Sequence, residues 1–357
     1  MRLREKLKFK GGSHHVLYRN RLAQENLLHH TSYITTVDEM GRIVAKANLV
    51  NHEDTIIKYF KELKEKTKIV IESMSSWYWL YDLLMENGFE VVISNPLKTK
   101  AIASAKIKND KLDSHMLAQL LRSGLISTVH VSSLETRKLK ELLRHRNRLV
   151  RDATRVKNRI HVLLRKNNFQ APFSDLFGAQ GLKYLLGVAL PDYQRAQVDT
   201  YLALYGHLVQ SIEPLTNSIH ALAKGDPMAR LLMTIPGIGP IVAMFIIAEV
   251  EDISRFPSYR NLASYAGLVP SLDSSAGKDK RGRITKQGSV YLRTALIEAA
   301  QVIPRMKNCR LNLFFRKRIV RAGYQKAMVA TAHKILQYAF YVLKNETSYQ
   351  EEYPVCA

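Results

Sequence analysis

The segment KIVIESMSSWYWLYDLLMENGFEVVIS (68–94) contains two short β-branched runs separated by an apolar helix pattern. The runs KIVIES (68–73) and FEVVIS (89–94) have the composition of buried strands. The residues between them have helical spacing up to Gly88, a residue type that commonly ends helices. A strand, a helix and a strand in this order predict an α/β domain.

The flanking sequence extends this pattern in both directions. TSYITTVD (31–38) and RIVAKANL (42–49) surround a tight-turn sequence and predict a strand pair. Residues 52–66 have the apolar spacing of a helix, and a further helix pattern opens at Asp110. We therefore predict one α/β domain over residues 1–130.

A long helical pattern follows. Apolar residues between 135 and 168 recur at alternating steps of three and four, and Arg146 fills the one skipped core position. Such a seam predicts a coiled-coil-like helix, and residues 193–224 supply a second long helix that could pack antiparallel to it. The segment 131–228 is thus either a helical hairpin that serves as a spacer or a dimerisation element.

The last third reads as a helical domain over residues 229–345, followed by a short tail at 346–357. MTIPGIGPIVAMFIIAEV (233–250) places Gly237 and Gly239 directly before an apolar helix. Glycines in this position let backbone N–H groups approach a phosphate, as in a helix-hairpin-helix element. The same residues could equally form a tight turn between two core helices.

Charge indicates the class of partner. The 357 residues include 54 Lys and Arg against 31 Asp and Glu, a net charge of +23, which favours a polyanion and foremost nucleic acid. Residues 136–168 carry 12 basic and 2 acidic side chains, and residues 271–345 carry 16 and 3. The residues expected to contact phosphate are Arg144, Arg148, Arg151, Arg155, Lys278, Lys280, Arg281, Arg283, Lys286 and Arg293, with Gly237 and Gly239.

Other classes are disfavoured. The chain has no apolar run of about 18 residues, so no membrane span is expected. The basic N-terminus is not followed by the apolar region of a signal peptide. Only Cys309 and Cys356 occur, which excludes a disulfide framework and a cysteine zinc site. These features predict a cytoplasmic protein.

Three carboxylates are candidate metal ligands. Glu72 ends a buried strand, where an unpaired carboxylate is costly unless it meets a cation. Asp110 and Asp113 share one face of a helix, one turn apart. Such a cluster suits Mg²⁺ or Mn²⁺ and phosphodiester chemistry. Alternatively, Asn109 or Asp110 simply caps the helix.

Several motifs resemble the insertion-sequence-110 family of transposases. Residues 70–121 resemble its DEDD, RuvC-like domain and end in its lysine-threonine-aspartate-x-x-aspartate signature, with Asn109 in place of the threonine. IPGIGPIVA (235–243), FPSYRNLASYAGLVPS (256–271) and SSAGKDKRGRITKQGSVYLRTALIEAA (274–300) resemble its C-terminal domain. The likeness covers most of residues 31–305 in the right order.

The resemblance implies a RuvC/RNase H-like fold in which Glu72, Asp110 and Asp113 bind Mg²⁺ or Mn²⁺. It also implies a nucleophilic serine, Ser275 or the adjacent Ser274, in the C-terminal domain. DNA is the implied substrate, a structured guide RNA the implied partner, and a dimer or tetramer the implied assembly. Family members commonly have glycine directly after the serine, where this chain has Ala276.

The residues around Ser275 also have a chemical argument. A serine that attacks DNA forms a phosphoester that conserves the bond for rejoining, and it needs cations to neutralise the phosphate. DSSAGKDKRGR (273–283) supplies small residues followed by four basic ones. The alternative is a solvated polar loop.

The N-terminus departs from the family, whose first strand carries an aspartate. Counting back from Thr31 puts Asn26 in that place and Glu25 beside it. Either Asn26 is a lost ligand on an intact central strand, or Glu25 substitutes, or residues 14–26 do not form that strand. The lack of apolar alternation favours the last.

Three functions follow from these observations. The first is a transposase that cuts and rejoins DNA with the acidic cluster and Ser275. The second is a metal-dependent, structure-selective nuclease without strand transfer. The third is an inactive nucleic-acid-binding relic that has lost its first acidic residue.

Overall fold

The computed structural model describes residues 15–21, 31–63, 67–73, 77–102, 110–170, 172–275, 278–307 and 309–350. For residues 15–21, 100–102, 110–112, 272–275 and 278–281 the description covers the backbone alone. The chain forms two compact units, Met1–Val131 and Ser132–Ala357. Among the described helices, none is both long enough and apolar enough to cross a bilayer.

The first unit contains a six-stranded mixed sheet with four helices. The strands lie in the order β3-β2-β1-β4-β5-β6. Strand β1 is antiparallel to β2 and parallel to β4, and β4 is parallel to β5. The strands are β1 (His15–Arg21), β2 (Thr31–Val37), β3 (Ile43–Val50), β4 (Lys68–Glu72), β5 (Glu90–Ser94) and β6 (Thr128–Val129); the helices are α1 (Glu53–Glu62), α2 (Trp77–Glu86), α3 (Pro96–Ile102) and α4 (Asp110–Arg122).

Alternation along β4 separates the two faces of this sheet. Ile69 and Ile71 are buried together with Phe60 of α1 and Leu80 of α2. Val70 lies in a different cluster, which contains Leu117 of α4. Because side chains alternate along a strand, α1 and α2 cover one face and α4 covers the other. The strands and helices predicted between residues 31 and 94 are confirmed.

Strand β1 corrects one expectation. Residues 15–21 do form the central strand, although the sequence favoured the opposite for residues 14–26. The backbone of β1 pairs with β2 on one side and β4 on the other. Strand preference depends on such neighbours more than on the residues themselves, which is why weak alternation misled. Both Glu25 and Asn26 lie outside the described residues.

Two long helices dominate the start of the second unit. Helix α5 (Leu134–Lys166) and helix α7 (Asp192–Gly225) flank the short α6 (Ala179–Gly187). Lys157 contacts Tyr205, and Asn167, later in the chain, contacts Gln194, which is earlier in α7. The two long helices therefore run antiparallel. This confirms both predicted helices. Their supercoiling and any role in dimerisation stay predictions.

Arg146, which interrupts the apolar seam, has a specific partner. Its Nε donates a hydrogen bond to Oγ1 of Thr216 on α7, 2.8 Å away. Burial lowers the pKa of Arg146, and the charge of Glu298 opposes that effect. A polar contact within an apolar seam fixes the register of two helices, because sliding would leave it unpaired.

The remaining elements form a helical domain with one β-hairpin. Helix α9 is buried around most of its circumference, and its cluster includes Leu143 of α5 and Ile219 of α7. Residues on both sides of the predicted boundary between 131–228 and 229–345 therefore share one core. The division into two domains stays a prediction. The elements are α8 (Pro227–Leu232), α9 (Pro240–Val250), α10 (Tyr259–Tyr265), β7 (Pro270–Ser275), β8 (Lys278–Ile284), α11 (Val290–Val302), α12 (Arg310–Ala322) and α13 (Tyr324–Asn345).

Charged side chains are buried where α5 meets α9. Arg144 pairs with Glu249 at 2.7 Å, and the Glu249 side chain is only 3% exposed. Nζ of Lys140 donates a hydrogen bond to Oγ of Ser132 at 2.5 Å. Burial lowers the pKa of Lys140, and the nearby Glu249 carboxylate only partly offsets this.

This geometry predicts that Lys140→Met stabilises the chain by about 1 kcal/mol at neutral pH, since burying an ammonium costs more than it recovers here. The folded-state pKa of Lys140 lies below the unfolded one. The cost is therefore complete below the folded pKa and disappears as pH rises towards about 10.4. The gain measured by denaturant unfolding should shrink over that range.

The exposed Lys138 provides the control for Lys140. It pairs with Glu135 across one helical turn, and its side chain is 62% exposed. Lys138→Met should change the free energy of unfolding little at any pH. A larger gain for Lys138→Met than for Lys140→Met would contradict the burial argument.

Candidate functional site

Helix α4 is held on the sheet by hydrogen bonds at both ends of its described length. Oγ of Ser114 lies 2.6 Å from Oγ1 of Thr35 on β2, and both hydroxyls are buried. Nε2 of Gln119 donates to the carbonyl of Gly41 at 2.5 Å. Gly41 lies beyond the end of β2, at the end of the sheet where β4 starts. Helix α4 therefore begins near the end of β4 and runs back towards its start.

The register places the start of α4 level with Glu72. Thr35 pairs with Leu17, and Leu17 pairs with Val70, so Ser114 lies level with Val70. Asp110 precedes Ser114 by four residues, about 6 Å along the helix axis. Glu72 lies two residues beyond Val70, about 7 Å along the strand. The helix start and the strand end therefore lie at the same end of the sheet.

Glu72 also lies on the face that α4 covers, because it shares the alternation of Val70. Glu72 and Asp113 are both partly exposed. Among the side chains that the structure describes, no three His, Cys, Asp or Glu lie close enough to hold a metal ion. Asp110 is described by its backbone alone, so its backbone position is what associates it with the other two.

The central strand contributes no carboxylate here. Tyr18 pairs with Ile71, so the next residue, Arg19, is level with Glu72. On its other side Arg19 pairs with Tyr33. None of the seven residues of β1 is acidic. Oxygen ligands suited to Mg²⁺ or Mn²⁺ are thus available from β4 and α4, while β1 offers a cationic residue at that level.

Ser275 lies at the tip of a β-hairpin. Ser275 is the last residue of β7 and pairs with Lys278, the first residue of β8. One step further from the tip, Ser274 pairs with Asp279. Paired positions share a face of a two-stranded ribbon, and adjacent positions alternate. The two candidate serines therefore occupy opposite faces with neighbours of opposite charge.

Several residues predicted to contact phosphate have structural contacts instead. Arg144 pairs with the buried Glu249 and lies over the ring of Tyr291. Nη1 of Arg293 donates to the carbonyl of Ala266 at 2.9 Å. These contacts within the fold are sufficient reason for both arginines, even if neither binds phosphate. Their role in phosphate binding stays a prediction.

The two glycines before α9 differ. Gly237 has a φ of +90°, and a Cβ there would lie 2.6 Å from the carbonyl oxygen of Ala299. Close packing against α11 is thus sufficient reason for Gly237. A Cβ on Gly239 would meet nothing within 4 Å. Only Gly239 is therefore open to approach, and the helix-hairpin-helix element stays a prediction.

Five of the other residues predicted to contact phosphate have exposed side chains. Arg148, Arg151 and Arg155 are exposed along α5, and Arg155 pairs with Asp152. Arg283 and Lys286 are exposed beside the hairpin. Lys278, Lys280 and Arg281 are described by backbone position alone.

Sequence reasoning did not single out helix α12. Its Arg316, Lys317, Arg318 and Arg321 are all exposed. No acidic residue occurs between positions 299 and 345, so nothing local neutralises them. That gap in acidic residues was visible in the sequence and could have identified the helix as a candidate nucleic-acid surface.

Comparison with known proteins agrees with this arrangement. A family model described as Transposase, for the DEDD domain of the IS110 type, matches residues 29–168. A second, described as Transposase IS116/IS110/IS902 family, matches residues 229–315. The chain belongs to the IS110 family of transposases. DNA is therefore its substrate class.

Individual relatives extend over most of the transposase chain. A "Transposase for insertion sequence element IS1111A" from Coxiella burnetii is 26% identical over 320 residues, 88% of this chain and 87% of the relative. A "Probable family 20 transposase" from Pseudomonas aeruginosa is 27% identical over 326 residues, 88% and 94% of the two chains. A "Pilin gene-inverting protein" from Moraxella bovis is 26% identical over 302 residues, 79% and 82% of the two chains.

The exposed face of α12 gives a prediction for DNA binding. Replacing both Arg318 and Arg321 by Gln should weaken binding to duplex DNA and reduce the slope of log affinity against log salt by about 2. Replacing Lys58 and Lys61 of α1 by Gln removes the same charge from an exposed helix that also carries acidic residues. That control should leave the slope unchanged in a salt titration by fluorescence anisotropy. Equal losses in the two variants would mean that net charge, not α12, governs binding.

Proposed function

We propose that this transposase cuts and rejoins the DNA of an insertion sequence by using a divalent-ion site at Glu72, Asp110 and Asp113 together with Ser275 as nucleophile. The ion site is supported by the strand register, which brings the end of β4 level with the start of α4 on one face of the sheet. A cluster assembled from two separate segments is more than a helix cap, which would need Asp110 alone.

A bound Mg²⁺ or Mn²⁺ would polarise the scissile phosphate and offset its charge. The residues of this chain would hold and orient the ion: Glu72 from the strand, Asp110 and Asp113 from the helix. Since Asp110 and Asp113 lie one turn apart, both can face one point. Membership of a DEDD transposase family supports the use of a divalent ion.

The hairpin register favours Ser275 over Ser274 as the nucleophile. Ser275 shares a ribbon face with its partner Lys278 and, diagonally, with Lys280, which pairs with Asp273. Ser274 shares the other face with its partner Asp279 and, diagonally, with Arg281, which pairs with Leu272. The residue directly opposite Ser275 is thus a lysine and the one opposite Ser274 an aspartate, which favours a phosphate at Ser275.

The strand-transfer step conserves bond energy. The Ser275 oxygen forms a bond to phosphorus while one ester bond of the DNA breaks, and the released strand end takes up the proton as a free hydroxyl. A second strand's hydroxyl can reverse this step and regenerate the serine. Rejoining by this route needs no external energy source.

Guidance by a structured RNA and assembly into a dimer or tetramer belong to the same proposal. The positive charge of α5 and α12 and the length of the antiparallel pair α5 and α7 are compatible with both. The name of the Moraxella relative, a gene-inverting protein, is compatible with cutting and rejoining of DNA.

Recombination of joined element ends with target DNA, cognate RNA and Mg²⁺ provides the test. Ser275→Ala should abolish covalent protein–DNA product and recombination, whereas Ser274→Ala should retain most of both. If Ser274→Ala is the inactive variant, the assignment by hairpin register is wrong. Metal-dependent cleavage that persists in Ser275→Ala without strand transfer would favour the nuclease alternative.

The central strand yields a separate prediction. Because Arg19 is level with Glu72, Arg19→Asp should add a carboxylate to the ion site and increase Mn²⁺-dependent cleavage at low ion concentration. Two control variants should not increase cleavage. They are Asn20→Asp, one position further along the strand, and Asn26→Asp, at the position found by counting back from Thr31. The measurement is the Mn²⁺ concentration for half-maximal cleavage.

Two outcomes would change this picture. If only Asn26→Asp increased Mn²⁺-dependent cleavage, the lost ligand would be at position 26 and not at position 19, where the strand register puts it. A wild-type chain with no cleavage or recombination under any of these conditions, together with unimpaired DNA binding, would favour the relic alternative.

A further inference from the structure

Ser94 has a buried hydroxyl that no described group satisfies. It is the last residue of β5, and its exposed fraction is 0%. Among the residues that the structure describes, its Oγ has no hydrogen-bond partner. A buried hydroxyl without a partner costs about 1–3 kcal/mol, so folded proteins keep few of them. A ligand that binds at that position would satisfy such an atom.

Strand register places Ser94 beside Glu72. The two residues are direct partners across the parallel pair β4 and β5. Ser94 alternates with Val92, which packs in the cluster of Val70 and Leu117. It therefore faces the same side as Glu72, the side that α4 covers, while Ile93 faces the other.

The chemistry of this end of the sheet identifies the class of ligand. Mg²⁺ and Mn²⁺ bind about six oxygen atoms, of which a few carboxylates supply only a part. A serine hydroxyl is a neutral oxygen ligand for such ions, as in phosphate-binding loops. Since β1 brings Arg19 and no carboxylate to this level, an oxygen from the opposite neighbour of β4 has particular value.

We propose that Oγ of Ser94 is a ligand of the divalent ion that Glu72, Asp110 and Asp113 bind. This proposal rests on the proposed function, because it adds a ligand to the same site. It accounts for the unsatisfied hydroxyl, which the ion would engage.

The test uses the full chain and Mn²⁺ alone, with free ion measured by electron paramagnetic resonance. Ser94→Ala should raise the dissociation constant for Mn²⁺ about tenfold, a typical effect of losing one group around a bound metal. Without Mn²⁺ its melting temperature should be equal to or above that of the wild type, because an unsatisfied buried hydroxyl has been removed. Weaker ion binding together with equal or higher stability is a combination that a purely structural role would not produce.

Thr99 provides a matched control. Its Oγ1 is also buried without a hydrogen-bond partner, but it lies on α3 outside the sheet. Thr99→Val should leave the dissociation constant for Mn²⁺ unchanged. An equal loss of affinity in both variants would show a general loosening of this region and overturn the proposal.

Ser94→Cys tests direct ligation through ion preference. Sulfur binds soft ions such as Cd²⁺ better than Mn²⁺ or Mg²⁺. This variant should bind Mn²⁺ more weakly and Cd²⁺ more tightly than the wild type. Equal weakening for both ions would mean that Ser94 does not touch the ion.

Asp113→Asn separates this proposal from the proposed function. Loss of Mn²⁺ binding in Asp113→Asn but not in Ser94→Ala would leave the carboxylate site in place and refute the role of Ser94. Unchanged binding in both variants would refute the carboxylate site itself, and the proposal for Ser94 with it.

Discussion

The hydrogen bond between the hydroxyls of Ser114 and Thr35 fixes the position of α4 on the sheet of the first unit. Both groups are buried, where a hydroxyl needs a hydrogen-bond partner. An apolar contact would tolerate a slide of α4 along the sheet, whereas a buried hydrogen bond has a defined geometry. Because Asp110 and Asp113 precede Ser114 on the same helix, this bond and the one from Gln119 to Gly41 hold them at the end of the sheet where β4 ends.

Much of this arrangement could be predicted from residue patterns. The elements between residues 31 and 94 follow from alternation and helical spacing, and the opening of α4 at Asp110 does too. Strand β1 could not be predicted in this way, because HVLYRNR (15–21) has little apolar alternation of its own. Its strand conformation depends on pairing with β2 and β4 on its two sides. Ser94 could not be predicted either, since a serine at a strand end is ordinary until the fold shows that no described group bonds to its buried hydroxyl.

Charge counting located the basic segments but did not separate bound from available arginines. Arg144 and Arg293 are satisfied within the fold, whereas Arg318 and Arg321 are exposed on α12. The difference depends on which carboxylates and carbonyls the fold brings near each guanidinium. Gly237 shows the same limit, because close packing against the carbonyl of Ala299 explains the glycine without any phosphate.

The hairpin of β7 and β8 has a consequence for how such proteins can diverge. The direct partners of Ser275 and Ser274 are Lys278 and Asp279, and a residue inserted or deleted on one strand moves the residues beyond it to the opposite face. The register already shifts once, between Pro270 and Leu272, before the serines are reached. A change of length by one residue between that shift and the tip would therefore exchange the cross-strand partners of Ser274 and Ser275, whereas a substitution would leave them in place.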